Sequence, residues 1–160
     1  MDDAIAMTGV LEPRSGWEAR ACSLAKALDV VSTRTAFLLL REAFYGTTRF
    51  DDFVQRAGAS EPVTAARLRE LVDAGLLAKE PYREAGQRTR MRYRLTEKGA
   101  DLLPALVALM QWGDRWENDG GRVQVQHAGC GARVEARLRC TEGHPVDLGA
   151  LELAVRSSSR

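Results

Sequence analysis

The sequence has 160 residues, of which 45% are hydrophobic and 28% are charged, and its formal net charge is +1. This size fits one soluble domain with a small appendage, and no apolar run approaches the roughly 18–20 residues that a membrane-spanning helix needs. The acidic start of the chain excludes a secretory signal, and the odd count of three cysteines disfavours a disulfide framework. We therefore expect a cytoplasmic protein.

Two helices are predicted in the first third of the chain. After a flexible segment over 1–14, Ser15 and Glu18 form a capping-box pattern that begins the first helix. Its apolar residues recur every three or four positions, as on one helical face: Trp17, Ala21, Leu24, Leu28 and Val31. The next segment, TRTAFLLLREAFYG, is apolar on several sides and stops at Gly46, which predicts a buried helix at the centre of the core.

A short third helix and a fourth helix follow, joined by a tight connection. Thr48 is the candidate cap of the third helix, which ends at Gly58, and Ser60 is the predicted N-cap of the fourth, which ends at Gly75. The predicted inner residues of the two helices are Phe50, Phe53, Val54, Thr64, Leu68, Leu71 and Val72. The short linker RAGAS predicts a helix-turn-helix.

A β-hairpin is predicted next, with strands over 76–82 and 88–95 and a turn over 83–87. Its second strand carries arginine at every second position, so the guanidinium groups should leave one face: Arg88, Arg90, Arg92 and Arg94. Six bases and two acids between Arg83 and Lys98 give a local net charge of +4. This cluster favours a polyanion site, and the alternative is a charged edge strand that resists aggregation.

A last long helix begins at Thr96 in the segment TEKGADLLPALVALMQWGDRW. Its apolar stripe is broader than a small domain can cover: Leu102, Leu103, Leu106, Val107, Leu109, Met110, Gly113 and Trp116. The stripe packs either on the first helix of the same chain or against a second chain, and we favour the second interpretation.

The remaining chain reads as an appendage over 119–150. Gly120 and Gly121 predict a hinge, and alternating apolar residues predict a small hairpin that turns at HAGCG. We expect the end of the chain, over 151–160, to be disordered.

From Cys22 to Trp116, the sequence resembles the HxlR-type winged helix-turn-helix regulators of bacteria, within the MarR-like superfamily. The matching segments, in chain order, are Cys22 itself, LLLRE, RFDDF, ARLRELVDAGLL, YRLTEKG and QWG. The resemblance implies an α+β, mainly α, fold: a winged helix-turn-helix domain over 15–118 that dimerises through its C-terminal and N-terminal helices. It also implies a transcription regulator whose recognition helix, over 60–74, enters the DNA major groove while the wing, over 76–95, lies on the phosphate backbone.

The sequence departs from this family at several positions. Thr35 stands where a tryptophan is usual, which puts an inherited ligand site in doubt, and Thr64 stands where a leucine is usual. Glu61 and Pro62 replace the family's basic or polar residues, and Glu61 could accept a hydrogen bond from a cytosine amino group. The sequence preference of the family therefore does not carry over.

Candidate contacts to double-stranded DNA divide into phosphate contacts, which supply affinity, and base contacts, which supply specificity. The candidates are Arg49, Ser60, Glu61, Pro62, Ala65, Ala66, Arg67, Arg69, Arg83, Arg88, Arg90 and Arg92. Three of these, Arg49, Arg67 and Arg69, have the alternative of a solvated residue or a local ion pair. A homodimer should read two-fold-related half-sites about one helical turn apart.

The cysteines and histidines raise two further hypotheses. Cys22 matches a position at which some relatives sense oxidants, and its alternative is a small buried residue within the first helix. In the tail, a hairpin could gather His127, Cys130, Cys140 and His144 around zinc, and a plain hairpin with incidental thiols is the alternative.

The sequence lacks the residue patterns of an enzyme: no nucleophile–base arrangement, phosphate-binding glycine loop or carboxylate pair stands out. We therefore expect a DNA-binding regulator, with a winged-helix module that binds protein as the alternative. Trp17, Phe37 and Trp112 either line a cavity for a small-molecule effector or belong to the ordinary core.

Overall fold

The computed structural model describes residues 5–7, 22–31, 33–83, 86, 88–118 and 120–154. In chain order its elements are β1 (Ala6–Met7), α1 (Ser23–Val30), α2 (Arg34–Phe44), α3 (Phe50–Ala57), α4 (Glu61–Asp73), β2 (Leu77–Tyr82), β3 (Arg90–Leu95), α5 (Glu97–Ala100), α6 (Leu103–Trp116), a short 3-10 helix (Leu148–Ala150) and β4 (Glu152–Leu153). Across the described ranges, none of the helices has the length and apolar character required to cross a membrane.

Helix α2 lies at the centre of the core, as its dense apolar sequence predicts. Its Leu39 and Leu40 are fully buried and belong to one cluster with Phe53 of α3 and Leu68 of α4. The helix begins cleanly because the Thr33 hydroxyl accepts a hydrogen bond of 3.1 Å from the Ala36 N–H.

Helices α3 and α4 form the predicted helix-turn-helix. The turn between them starts at Gly58, whose φ of +63° is a left-handed conformation that favours glycine. The predicted cap of α3 is wrong: Arg49, not Thr48, holds the N-cap position. Thr48 serves the sheet instead, because its carbonyl accepts a hydrogen bond of 2.8 Å from the Tyr93 N–H.

Strands β2 and β3 form the predicted antiparallel hairpin, with Leu77 opposite Leu95 at its base and Tyr82 opposite Arg90 toward its turn. A bridge between Arg49 and Arg92 adds the residues before α3 to the edge of β3. The Tyr93 ring packs edge-on against Phe53 at a centroid distance of 5.9 Å, which fastens the hairpin to the core. The molecule is thus a winged helix-turn-helix.

The predicted last helix is divided into α5 and α6. Thr96 begins α5, as predicted, and accepts a hydrogen bond of 3.0 Å from the Gly99 N–H. Pro104 lies in the first turn of α6 and has no N–H to donate to the Ala100 carbonyl, so a continuous helix through this point is disfavoured. The interruption sets α6 apart as an element of its own.

Helix α1 begins later than its predicted start, and the capping pair Ser15 and Glu18 lies outside the described residues. Cys22 has an extended backbone at the N-cap position, so the expectation that it lies within the helix is wrong. The predicted stripe is covered by the chain only in part, because Val31 is buried in the core whereas Leu24 is 67% exposed and Leu28 is 46% exposed.

The tail contains the predicted hairpin, which turns at 127–131, where the His127 N–H donates to the Ala132 carbonyl at 2.9 Å. A second turn, which the sequence pattern did not predict, is closed by a 3.0 Å hydrogen bond from the Cys140 N–H to the His144 carbonyl. Beyond it, β4 pairs in parallel with β1, so parts of the segments expected to be flexible, 1–14, and disordered, 151–160, form a small sheet. Residues 155–160 lie outside the described part of the chain.

Candidate nucleic-acid interface

The outer face of α4 presents most of the predicted base-reading residues. The buried side carries Thr64, Leu68 and Leu71, so the residues between them point away from the core. The exposed predicted contacts are Ser60, Glu61, Pro62 and Arg69, and the half-buried ones are Ala65, Ala66 and Arg67. The face therefore carries short side chains, and its polar groups near the start of the helix are those of Ser60 and Glu61.

Ser60 holds the predicted N-cap position of α4, with an extended backbone, but its hydroxyl makes no capping hydrogen bond. The predicted N-cap position is thus confirmed, although the side chain does not stabilise the helix start. An exposed hydroxyl without a capping partner is available to an acceptor outside the chain.

The two arginines of α4 differ in their surroundings. Arg67 forms an ion pair with Glu70, three residues later, which is the alternative that the sequence allowed. Arg69 is exposed and makes no ion pair within the described ranges. Arg69 is therefore the better candidate for a contact outside the chain.

The arginines of the wing do not form an equivalent row. Arg92 is half-buried, and its Nη2 lies 3.3 Å from Oε2 of Glu80 on the neighbouring strand. Its Nε is buried and, among the described atoms, has no hydrogen-bond partner. Arg88, Arg90 and Arg94 are exposed and have no ion pair with any described residue, and Arg83 is also exposed. The alternation is confirmed as a strand from Arg90 to Leu95, whereas Arg88 lies outside that strand. Arg92 connects the two strands of the hairpin through its ion pair with Glu80.

A shallow groove of about 410 Å³ lies where the start of α3 meets the wing. Three cationic residues line it, Arg49, Lys79 and Arg90, with one acid, Asp51. The Arg49 guanidinium stacks over the Tyr82 ring at 5.7 Å from its centroid, which aligns a residue of the helix-turn-helix with the wing. The positive charge of the two elements therefore converges on one concave surface.

Lys79 is a site residue that the sequence reasoning missed. It is exposed on β2, opposite Tyr93, and its ammonium group lies 5.7 Å from the centre of that ring. Pairing the predicted strands outward from the turn over 83–87 would place Lys79 opposite Met91, whereas the observed register places it opposite Tyr93, so the sequence carried no signal that identified it.

The four tail residues proposed for zinc form two separate pairs. His127 Nδ1 lies 3.3 Å from Cys130 Sγ, and Cys140 Sγ lies 3.6 Å from His144 Nδ1. No group of three or more metal-ligating residues exists among the described residues. The first pair lies in the turn before the segment 132–139 and the second in the turn after it, so the two pairs belong to two different turns. The structure therefore does not bring the four candidate ligands together.

The three aromatic residues considered as cavity lining or as ordinary core have different surroundings. Phe37 packs against the core, Trp112 is 57% exposed on α6, and Trp17 lies outside the described residues. Cys22 is half-buried beside the start of α1.

Apolar side chains are exposed along α1 and α6. On α6, Leu109 is 55% exposed and Trp116 is 62% exposed, whereas Leu106 and Val107 are buried against the domain. We call the exposed leucines of the two helices the apolar face; it consists of Leu24, Leu28, Leu103 and Leu109. Trp112 and Trp116 are exposed on the side of α6 that faces the tail.

Known proteins are similar to this chain in sequence and in architecture. The model of the HxlR-like helix-turn-helix family matches residues 30–120. An uncharacterised HTH-type transcriptional regulator of Mycobacterium tuberculosis (strain ATCC 25618 / H37Rv) is 41% identical over 121 residues, which cover 74% of this chain and 75% of the relative.

Two solved structures extend the similarity into the tail. The crystal structure of PA1607, a candidate transcription factor, has a TM-score of 0.73 and 33% identity and covers 89% of this chain and 97% of its own. A candidate transcription factor of Pseudomonas aeruginosa, PA1374, has a TM-score of 0.61 and 29% identity and covers 87% of this chain and 95% of its own. The match to the family model, which spans more than half of the sequence, shows that the chain belongs to the HxlR-like helix-turn-helix family of transcriptional regulators.

Proposed function

We propose that the protein is a dimeric, sequence-specific DNA-binding regulator that acts in the cytoplasm, with α4 in the major groove and the β2–β3 wing on the phosphate backbone. The observation that carries this proposal is the cationic groove between α3 and the wing. Arg49, Lys79 and Arg90 line a concave surface with one acid, which is the charge pattern that attracts a phosphate chain.

Base recognition falls to the exposed start of α4. Ser60 offers a hydroxyl without a capping partner, and Glu61 offers a carboxylate that can accept from a cytosine amino group. The small side chains of Ala65 and Ala66 allow close approach and apolar contact with a thymine methyl group. Arg69, one turn further, can reach a guanine or a phosphate.

The apolar face supports the dimer. Leu24 and Leu109 are each more than half exposed in the single chain, and Leu28 and Leu103 are each more than 40% exposed. A leucine strip of this kind is rarely left in water. A two-fold dimer would bury the strip against its own copy and place the two copies of α4 about 34–36 Å apart, one turn of DNA.

Salt dependence of DNA binding tests the groove. Full-length protein is titrated onto a duplex of arbitrary sequence at several salt concentrations, and the slope of log K against log salt is measured. The double variant Lys79→Ala/Arg90→Ala should bind every sequence more weakly, and the slope should fall by about 0.9 for each phosphate that is no longer neutralised.

A matched control removes the same charge outside the groove. Arg137→Ala/Arg139→Ala takes two exposed arginines from the tail and should leave the slope unchanged. An equal effect of both double variants would contradict the groove assignment. No binding to duplex at low salt would overturn the proposed function and favour a protein-interaction module.

A further inference from the structure

The tail and α6 enclose an open cleft of about 680 Å³. Small-molecule sites commonly have volumes of about 300–1,000 Å³, so the cleft has the size of a ligand pocket. It lies apart from the groove between α3 and the wing, with which it shares no lining residue.

One side chain holds the two walls of the cleft together. Gln111 of α6 donates from Nε2 to the Val134 carbonyl at 2.7 Å and accepts at Oε1 from the Ala136 N–H at 2.9 Å. Both ends of the amide are thus bound to the backbone of the tail. The cleft is therefore a built feature, not a chance gap between loosely placed segments.

The apolar part of the lining is suited to a flat ring. Trp112 and Trp116 on α6 are 57% and 62% exposed, and the buried Val107 and the tail residue Val123 also line the space. Indole faces prefer to stack on other planar rings, and such pairs add stability beyond the area that they bury.

The charged part of the lining is suited to an anion. Four arginines and two acids line the cleft, a net charge of +2: Arg115, Arg122, Arg133, Arg137, Asp114 and Glu135. Arg137 is paired with Glu135 at 3.0 Å, and Arg115 stacks over the Trp116 ring at 4.8 Å from its centroid. Arg122 and Arg133 have no ion pair within the described ranges, and a guanidinium fork matches a carboxylate in a bidentate pair.

We propose that this cleft binds a small aromatic carboxylate, with its ring against Trp112 and Trp116 and its carboxylate at Arg122 and Arg133. The binding itself is independent of DNA. Its role as an effector site rests on the proposed function, because the cleft joins the tail to the helix that carries the apolar face.

Calorimetric titration of the full-length protein with 2-naphthoate tests the proposal. We expect saturable binding of one molecule per chain. Because the variant Arg122→Ala/Arg133→Ala lacks the charged hydrogen-bond donors that face the carboxylate, it should bind at least about tenfold more weakly. The neutral analogue 2-naphthamide should also bind at least about tenfold more weakly, since it lacks the charge.

The control variant Arg69→Ala/Arg139→Ala removes the same charge from α4 and from a tail position outside the lining, and it should bind 2-naphthoate like the parent protein. Circular dichroism confirms that each variant is folded. Absence of saturable 2-naphthoate binding, or equal affinity in the Arg122→Ala/Arg133→Ala variant, would overturn the proposal. Equal affinity for 2-naphthamide would overturn the carboxylate assignment.

The outcome is separable from that of the proposed function. Salt-dependent duplex binding without any 2-naphthoate binding rejects only the cleft. Binding of 2-naphthoate by a protein that does not bind duplex leaves the ligand site intact and ends the regulator proposal.

Discussion

Thr64 is a polar residue in an apolar position. It is fully buried on the inner side of α4, and its hydroxyl has no hydrogen-bond partner among the described atoms. A buried hydroxyl without a partner costs about 1–3 kcal/mol, judged from protein mutations. The unpaired hydroxyl therefore lowers the stability of the fold at a fully buried position of α4.

Replacing Thr64 by Val should stabilise the protein by about 1 kcal/mol, because the substitution keeps the shape and removes the unpaired hydroxyl. Urea unfolding at a fixed protein concentration measures the free energy of unfolding. The matched control is Thr47→Val, since the buried Thr47 hydroxyl donates to Glu42 at 3.3 Å and accepts from Arg56 at 2.9 Å. The two variants should change stability in opposite directions, and a loss of stability in Thr64→Val contradicts the assignment.

Gly99 is required by a close approach of the backbone. A Cβ at this position would lie 2.1 Å from the Leu76 carbonyl oxygen, so Gly99→Ala must separate α5 from the hairpin, at a cost of about 1–3 kcal/mol or more. Gly113 is the control, because a Cβ there meets nothing within 4 Å and alanine improves helix propensity by about 0.5–1 kcal/mol. Thermal unfolding should show a lower midpoint for Gly99→Ala only; equal midpoints would contradict the close approach.

The sequence predicts the role of a residue where that role depends only on the spacing of residue types along a helix or strand. The two-residue period correctly placed Arg90 and Arg92 on a strand, but their different roles depend on which residue lies opposite, and Glu80 occupies that place for Arg92. Lys79 was missed for the same reason. A cross-strand neighbour is fixed by register, which the composition of one strand does not reveal.

At the scale of elements, the order of the helices and the hairpin was predictable from Gly58, which ends α3, and from the short linker after it. Two helix boundaries were not predictable. Pro104 interrupts the last helix because it cannot donate to Ala100. Thr48 does not cap α3 because its carbonyl binds β3. Both differences arise where a backbone hydrogen bond is missing or is made to a distant segment.

The apolar face of α6 predicts the effect of one charge on assembly. Leu109→Glu places a carboxylate in the proposed interface and should convert the dimer to a monomer, with little loss of helix content, because Leu109 is 55% exposed in the single chain. Sedimentation equilibrium measures the mass. Ala100→Glu, exposed on α5, should remain dimeric. A Leu109→Glu variant that keeps the parent mass would place the interface elsewhere.

At the scale of the whole molecule, the tail was the part least predictable from the sequence. Its first hairpin followed from alternation, but its second turn and its attachment through Gln111 did not, because they depend on contacts between distant segments. The placement of the candidate zinc ligands was unpredictable for the same reason. Spacing suggested four ligands on one hairpin, but it could not show that they lie in two separate turns.

The arrangement of the tail predicts its metal content. Protein purified without chelator should contain far less than one zinc per chain by mass spectrometry of its elements, since each His–Cys pair lies in its own turn and two ligands alone cannot complete a tetrahedral site. The double variant Cys130→Ser/Cys140→Ser should unfold at the same temperature as the parent protein. One zinc per chain, together with a large loss of stability in this variant, would contradict the structure of the tail.

The hydrogen bond from Tyr93 to the Thr48 carbonyl has a consequence for the thermodynamics of binding. It joins the base of the wing to the residues that begin α3, so the spacing between helix pair and wing is set when the protein folds. Less conformational entropy is then given up when the two elements meet a duplex together. The heat-capacity change of association should accordingly reflect surface buried against DNA, without the additional contribution that accompanies folding of a protein segment on its target.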